Sequence, residues 1–130
     1  MYTDSLTVRI NDLNFGGHLG HVEFIHLLHQ VRVRYLHQKG LSEVNILGKS
    51  LVMRHMDVTY LNPAYVHDQL QFNLIISVSK ARFQFDYQVR NITRDNKMGQ
   101  ASLQMVLIDL ETGRPAKVTA EVLARLEISS

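Results

Sequence analysis

The residues best suited to chemistry lie close together, between Asn11 and Glu23. The side chains of interest in this segment are two imidazoles, two carboxylates and one amide, namely His18, His21, Asp12, Glu23 and Asn14. An imidazole has an ordinary pKa near neutrality, so it can take a proton from water at physiological pH. A carboxylate is the other common base. An amide has neither the charge nor the basicity, so Asn14 can orient a water or hold a carbonyl but cannot act as a general base.

Each of these residues also has a purely structural interpretation. Asp and Asn side chains cap helices and close turns without any chemistry. His18 and His21 can equally hydrogen-bond the loop to a partner chain, and local sequence leaves the two roles open. His18-x-x-His21 and His26-x-x-His29 have the spacing of a metal pair, but both lack the glutamate of the His-Glu-x-x-His zinc motif. We therefore predict no metal site, and the absence of cysteine excludes a thiol nucleophile.

A turn followed by one long helix must position this segment. Asn11–Gly20 is rich in Asn, Asp and Gly, which are residues that tolerate turn conformations. From His21 to His37 apolar residues recur at steps of three and four, which predicts an amphipathic helix. Gly40 follows, where glycine can close the last turn. Before the turn, Leu6–Ile10 alternate with polar neighbours and predict a short strand.

After the helix, the apolar residues alternate with polar ones at a period of two, which predicts antiparallel strands with one buried face. The segments are Leu51–Leu61, Leu70–Val78, Arg82–Arg90, Ala101–Leu107 and Val118–Leu126, with turns at Asp95-Asn96 and at Glu111–Pro115. A single helix with a wide apolar face is best buried by a sheet that curls around it. The predicted class is α+β, an antiparallel sheet wrapped around one central helix, with a two-layer sandwich of other topology as the alternative.

Composition narrows the function further. The chain has 130 residues, of which 45% are hydrophobic and 20% charged, and its formal net charge is +2. This predicts one domain spanning residues 1–130. The charges are scattered and form no basic stripe, so no nucleic-acid partner is expected. Met1–Ser5 does not resemble a secretory signal, and no apolar run is long enough to span a bilayer. We therefore expect a cytoplasmic protein without a membrane partner.

Four motifs resemble one family of enzymes. Asn11–His21 is similar to the helix-entry motif of 4-hydroxybenzoyl-CoA-type and YbgC-like hotdog thioesterases, and Arg32 falls at the arginine of their helix. Tyr60–Ala64 with His67–Leu70 resembles their "Tyr-x-x-Pro-Ala…Gly-Asp-x-Leu" segment. Asp109–Pro115 resembles their last hairpin, "Asp-x-x-Thr-Gly-Arg-Pro". The motifs occur in the same order and cover nearly the whole chain.

The resemblance implies a hotdog fold and a homodimer with a continuous intersubunit sheet, often paired into a homotetramer. It implies hydrolysis of an acyl-CoA or acyl-carrier-protein thioester to free acid and thiol. No cofactor is implied beyond coenzyme A as part of the substrate. Lys80 and Arg82 lie at a strand start that in relatives is near the CoA nucleotide, which suggests phosphate contacts. Solvated turn charges are the alternative interpretation of these two residues.

The resemblance also suggests roles within the helix-entry segment. In relatives, backbone N–H groups at the helix start bind the developing oxyanion, and Gly17 and His18 occupy that place here. Aligned on Gly17, the usual catalytic aspartate position holds Asn14, and Asp12 matches an earlier Asp of the motif. His21 matches the histidine of YbgC-like members, and plant acyl-carrier-protein thioesterases carry a histidine at the place of His18. Glu23 is the remaining nearby carboxylate. The base is therefore open among these residues.

Two rival functions remain. The loss of the carboxylate at Asn14 favours a hotdog dimer that binds acyl-CoA or another apolar ligand without cleaving it. A hotdog dehydratase of the hydroxyacyl type would also use a histidine and a carboxylate, but its loop typically contains proline, and Asn11–Gly20 contains none. Four methionines suit either a core or an acyl tunnel, namely Met53, Met56, Met98 and Met105.

Overall fold

The computed structural model describes residues 1–128. Six strands and two helices follow one another: β1 (Tyr2–Thr7), α1 (His21–Gln38), β2 (Lys49–Tyr60), β3 (Gln69–Ser79), β4 (Arg82–Asn91), β5 (Asn96–Asp109), β6 (Pro115–Ala116) and α2 (Ala120–Leu126). They form one antiparallel sheet in the order β1-β3-β4-β5-β2, with β6 paired to β5. The helix predicted for His21–His37 is confirmed.

The core lies between the apolar face of α1 and the inward face of the sheet. Alternate residues of β3, β4 and β5 point to α1, as their period of two predicts. The helix contributes Phe24, Leu27, Leu28, Val31 and Leu36, and the sheet contributes Phe72, Phe83, Phe85, Tyr87 and Leu103, all buried. The opposite face of the sheet is mainly polar, although Val52 and Ile75 are exposed there. The predicted α+β arrangement, a sheet packed around one long helix, is therefore confirmed.

Gly99 allows the sheet to approach the start of α1 closely. It pairs with Tyr60, the last residue of β2. A Cβ on Gly99 would lie 2.6 Å from the backbone oxygen of Thr59 and 3.6 Å from the ring of Phe24. Any larger residue would therefore push β2 and β5 apart at the point where both meet the helix.

The first strand lies earlier than the prediction of Leu6–Ile10. β1 ends at Thr7, and a short 3₁₀ turn follows at Ile10–Asp12. Val8 pairs instead with the loop before β3, where its N–H donates to Asp68 O (2.9 Å) and its carbonyl accepts from His67 N–H (2.8 Å).

The prediction of a strand at Val118–Leu126 is wrong, because Ala120–Leu126 forms α2. Thr119 caps the helix, its Oγ1 accepting the N–H of Val122 at 3.2 Å. Val122 and Leu126 are four residues apart and both are buried, whereas Ala120 and Ala124 are exposed. Apolar residues at every second position satisfied both periods, and the capping threonine favoured the helix. In the part of the chain from β5 to residue 128, only Pro115–Ala116 adds a short strand.

β2 is an edge strand, and within residues 1–128 its outer side pairs with no other strand. In the same part of the chain, no helix has both the length and the apolarity needed to cross a membrane.

Candidate functional site

A tight loop just before α1 carries the candidate residues. Leu13 and Leu19 form an antiparallel bridge at its base. Inside it, Asn14 N–H donates to His18 O at 2.9 Å and Gly17 N–H donates to Asn14 O at 3.1 Å. Gly17 has φ = 79°, a conformation in which a glycine avoids the strain of a side chain. The loop is thus a closed turn rather than a flexible linker.

The Asn14 side chain is oriented by the loop itself. Its Oδ1 accepts the backbone N–H of Gly16 at 2.9 Å. Because the oxygen serves this bond, the side-chain NH₂ group is left as a hydrogen-bond donor toward a ligand.

The imidazole of His18 lies beside the Asn14 amide. A Cβ on Gly16 would be 3.2 Å from His18 Nε2 and 3.3 Å from Asn14 Oδ1, so both groups converge on that glycine. His18 Nδ1 is 3.4 Å from the carbonyl oxygen of Leu19. When Nδ1 carries the proton, the Nε2 lone pair remains on the side of Asn14.

Asn14, His18 and His21 line one pocket of about 350 Å³. Asn62 adds a further polar side chain, and the other walls are apolar: Leu19, Tyr60, Leu61, Pro63 and Met98. The structure therefore brings three of the six predicted catalytic residues together. An apolar cleft with a few convergent polar groups is typical of a small-molecule site.

Tyr60 is a site residue to which sequence reasoning assigned no role. Its hydroxyl donates to the carbonyl oxygen of His21 at 2.8 Å, and its ring packs edge-on against Phe24 with centroids 5.5 Å apart. It therefore fixes the end of β2 against the first turn of α1. The available signal was its place in the Tyr60–Ala64 motif.

The start of α1 offers free backbone donors to the pocket. Gly20 is the N-cap residue and provides no side-chain cap. Within residues 1–128, the N–H groups of His18, His21 and Val22 donate to no protein acceptor. The N–H of Gly17, by contrast, is already used inside the loop. Unpaired amides at a helix N-terminus, together with the helix dipole, favour an anion or a polarised carbonyl oxygen.

Asp12 is placed outside the pocket. Its side chain is buried, accepts the Arg9 N–H at 2.8 Å and forms an ion pair with the Arg9 guanidinium at 3.3 Å. Its backbone oxygen accepts the N–H of Gly20 at 3.0 Å. Asp12 thus closes the 3₁₀ turn and fixes the approach to α1.

Glu23 folds back over the start of its own helix. Its Oε1 would lie 1.8 Å from a Cβ on Gly20, and that Cβ would be 3.4 Å from Cβ of Asn14. The carboxylate therefore occupies the space left by the missing side chain of Gly20. It is not among the residues that line the pocket.

Lys80 and Arg82 lie at the hairpin between β3 and β4, away from this pocket. They line a separate cavity of about 500 Å³, where Arg82 Nη1 donates to Gln104 Oε1 at 3.1 Å. Gln104 is on the same strand as Met98, six residues farther along. At the usual rise of a strand, that is about 20 Å.

An ion network lies farther along α1, in which Arg32 and Tyr87 are buried, Glu43 is partly buried and His29 is exposed. Arg32 Nε donates to Glu43 Oε2 at 2.8 Å and Arg32 Nη1 donates to the Tyr87 hydroxyl at 3.3 Å, while His29 Nε2 is 2.5 Å from Glu43 Oε1. Burial alone would raise the pKa of Glu43, but the hydrogen bonds and charges of Arg32 and His29 lower it below its ordinary value. This network ties the loop after α1 to the helix. Among residues 1–128, no three His, Asp or Glu side chains come together as metal ligands.

Comparison with solved structures identifies the fold. A 1,4-dihydroxy-2-naphthoyl-CoA thioesterase from Synechocystis superposes with a TM-score of 0.85 at 23% identity, covering 96% of this chain and 94% of that one. A probable thioesterase from Escherichia coli gives 0.81 at 17% identity, with 96% of each chain covered. A Staphylococcus aureus protein solved in complex with CoA gives 0.84 at 18% identity, covering 96% and 80%. The predicted hotdog fold is confirmed.

Sequence comparison identifies the family. No curated protein matches the chain. The model of the thioesterase-like superfamily, however, matches residues 8–126. This range includes the loop before α1, the pocket and all the strands from β2 to β6. The chain therefore belongs to the thioesterase-like superfamily.

Proposed function

We propose that the protein hydrolyses the thioester of an acyl-CoA or acyl-carrier-protein conjugate to a free acid and a thiol. The observation that carries this proposal is the meeting of three features in one apolar pocket: the His18 imidazole, the Asn14 amide and the free N–H groups at the start of α1. Membership of the thioesterase-like superfamily supports it. The neighbour from Synechocystis, a thioesterase, has the same fold.

In this mechanism the thioester carbonyl oxygen accepts hydrogen bonds from His18 N–H and from the first turn of α1. Negative charge builds up on that oxygen as water attacks, and fixed amide donors stabilise it. His18 Nε2 takes the proton of the attacking water, and the Asn14 NH₂ group holds the water or the carbonyl. The carbon–sulfur bond then breaks, and the imidazolium returns the proton to the leaving thiolate. His21 is the second candidate for the base.

The remaining predicted residues have indirect roles in this proposal. Gly17 lets the loop close without a side chain between the carbonyl and the His18 amide. Asp12 fixes the entry to α1 through Arg9. Glu23 and Asn14 both lie next to Gly20, so Glu23 is the candidate acid that would support a histidine base. Residues 1–130 act as one domain.

We also propose that a second copy completes the cleft. The outer edge of β2 is unpaired within residues 1–128, which is the usual requirement for a sheet that continues across a dimer. Phe15 at the loop tip is fully exposed, and Tyr60 and Leu61 at the pocket rim are 45% and 48% exposed. Exposed apolar residues around a pocket indicate that something covers them. The pantetheine arm would enter between the protomers, and Lys80 and Arg82 would contact the CoA phosphates.

The test of the activity is incubation of the purified protein with a panel of acyl-CoAs and a thiol-reactive chromophore. We expect release of free CoA for at least one acyl class. Replacing His18 with Ala should lower that turnover about 100-fold, whereas His26→Ala, an exposed change on α1 outside the pocket, should not. Binding of acyl-CoA without release of thiol would oppose the proposal and favour a non-catalytic binding dimer, which the amide at Asn14 already suggests.

The test of assembly is the mass in solution, measured by light scattering after size exclusion. We expect a homodimer or a homotetramer. Val52→Lys, on the exposed part of β2, adds a charge to the edge strand and should shift the mass toward the monomer. A wild-type protein that is monomeric at micromolar concentration would contradict the shared cleft.

A further inference from the structure

Tyr65 lies next to the pocket without lining it. It follows Ala64 in the segment between β2 and β3. Its ring meets the imidazole of His18 edge-to-face, with centroids 6.4 Å apart and planes at 86°. The backbone brings the two together, because Leu19 N–H donates to Ala64 O at 2.8 Å.

One buried carboxylate holds Tyr65 in place. Asp68 is 3% exposed and accepts the backbone N–H of Tyr65 at 2.9 Å, the Nε–H of Arg94 at 2.7 Å and the side-chain amide of Asn91 at 2.8 Å. The Arg94 guanidinium in turn lies 4.2 Å from the centre of the Tyr65 ring. Both the backbone and the ring of Tyr65 are therefore anchored to Asp68, one directly and one through Arg94.

The His18 imidazole needs such a support. Its one hydrogen-bonding contact within residues 1–128 is the 3.4 Å approach of Nδ1 to Leu19 O, which is long for a hydrogen bond. A single long contact constrains the rotation of the ring weakly. The edge-to-face arrangement with an aromatic ring adds a second restraint, because a rotated imidazole would lose that favourable geometry.

We propose that Tyr65 is a positioning residue that, held by Arg94 and Asp68, keeps the His18 imidazole with Nε2 toward Asn14. The expected effect of Tyr65 on turnover rests on the proposed function, whereas its effect on the orientation of the His18 ring does not. The ring of Tyr65 is the active part, since its hydroxyl makes no hydrogen bond within residues 1–128. Phenylalanine should therefore replace it, and leucine should not.

The test that needs no substrate is NMR of the histidine rings in wild type and in Tyr65→Leu, Tyr65→Phe and Arg94→Gln. In Tyr65→Leu we expect the ring protons of His18 to lose the chemical-shift change caused by the neighbouring aromatic ring. We also expect the ¹⁵N signals of its two ring nitrogens to become more alike, because both tautomers are then populated. Tyr65→Phe should keep the wild-type His18 signals, and Arg94→Gln should change them partly. The signals of His26, exposed on α1, serve as the internal reference. His18 signals in Tyr65→Leu that match wild type would overturn the proposal.

The kinetic test uses whichever acyl-CoA the wild type cleaves fastest. Tyr65→Leu should lower kcat about tenfold or more while KM stays within about twofold, because a misplaced base affects the chemical step. Tyr65→Phe should restore kcat. Equal losses in the leucine and phenylalanine variants, or a change confined to KM, would contradict positioning through the ring. A wild type that cleaves no acyl-CoA would refute the proposed function alone, because the NMR comparison still decides the role of Tyr65.

Discussion

The side-chain oxygen of Asn14 accepts the backbone N–H of Gly16 at 2.9 Å, so the loop before α1 uses one side of this side chain and leaves the other for a ligand. A carboxylate in the same position could make the same bond with one oxygen and present the second as a base. An aspartate and an asparagine at this position would therefore make the same bond to the loop but differ in basicity.

The first prediction concerns Asn14→Asp. We expect the variant to fold as wild type and to keep or raise acyl-CoA turnover, because the bond to Gly16 N–H is retained and a base is added. The measurement is kcat/KM for thiol release. The comparison is Asn14→Ala, which removes both the bond to Gly16 N–H and the side-chain NH₂ donor and should be slower than wild type. A folded but inactive Asn14→Asp protein would argue against the alignment of this loop on the family motif.

The second prediction concerns Gly99→Ala. The new Cβ would stand 2.6 Å from Thr59 O, a backbone atom that can move only with β2. We expect a loss of about 2 kcal/mol in the free energy of unfolding, typical of overpacking. Urea denaturation measures it, with Ser102→Ala on the polar face of the same strand as the matched control. Equal stability of the two variants would show that β2 and β5 separate without cost.

The third prediction concerns His67, which has φ = 73°. The motif that His67–Leu70 resembles has glycine at this place, which suits the left-handed backbone. His67→Gly should be more stable than His67→Ala by about 1 kcal/mol, because alanine keeps the Cβ that strains this conformation. Thermal melting of the two variants tests the difference. A more stable alanine variant would mean that the loop readjusts around the side chain.

The fourth prediction concerns the pH dependence of stability at Asp68. Burial alone would raise its pKa, but the hydrogen bonds from Asn91, Tyr65 N–H and Arg94, with the Arg94 charge, lower it below the ordinary value. A carboxylate whose pKa is lower in the folded state stabilises the fold above its unfolded pKa of about 4. That stabilisation is lost as the pH falls through the folded value.

Asp68→Asn should therefore lower the free energy of unfolding by about 2 kcal/mol at pH 7. The difference from wild type should shrink as the pH falls below about 4. Urea denaturation at several pH values from about 3 to about 7, a range that begins below the ordinary carboxyl pKa, measures the stability of the wild type and of the variant. Parallel curves over this range would indicate that the two ionisation states of Asp68 are equally stable in the fold.

Most of the fold could be predicted from the sequence, because apolar residues recur at steps of three and four in α1 and at every second position in most of β2 to β5. It failed at Val118–Leu126, where apolar residues at every second position also fall four apart, so that periodicity alone could not distinguish a strand from a helix. The capping Thr119 was the local signal that distinguished them.

The candidate site could be predicted only as a segment. Asn14, His18 and His21 share a pocket, but Asp12 is directed to Arg9 and Glu23 to the space over Gly20. Those directions depend on where the 3₁₀ turn ends and on which glycine leaves room, which motif spacing does not encode. Tyr60 and Tyr65 are distant from this segment in the chain. The Tyr60–Ala64 motif pointed to Tyr60 without giving it a role, whereas the contact of Tyr65 with His18 follows from the hydrogen bond between Leu19 and Ala64 in the fold.

The double membership of Tyr60 has a mechanical consequence. Tyr60 is the last residue of the edge strand β2, and its hydroxyl donates to the carbonyl oxygen of His21. One residue therefore connects the unpaired edge of the sheet to the first turn of α1. A protein that binds along the free edge of β2 would restrain the first turn of α1 through Tyr60, without contacting the helix itself. Dimerisation and the order of the first turn of α1 would then be coupled, so that dilution would dissociate the dimer and make this turn more mobile.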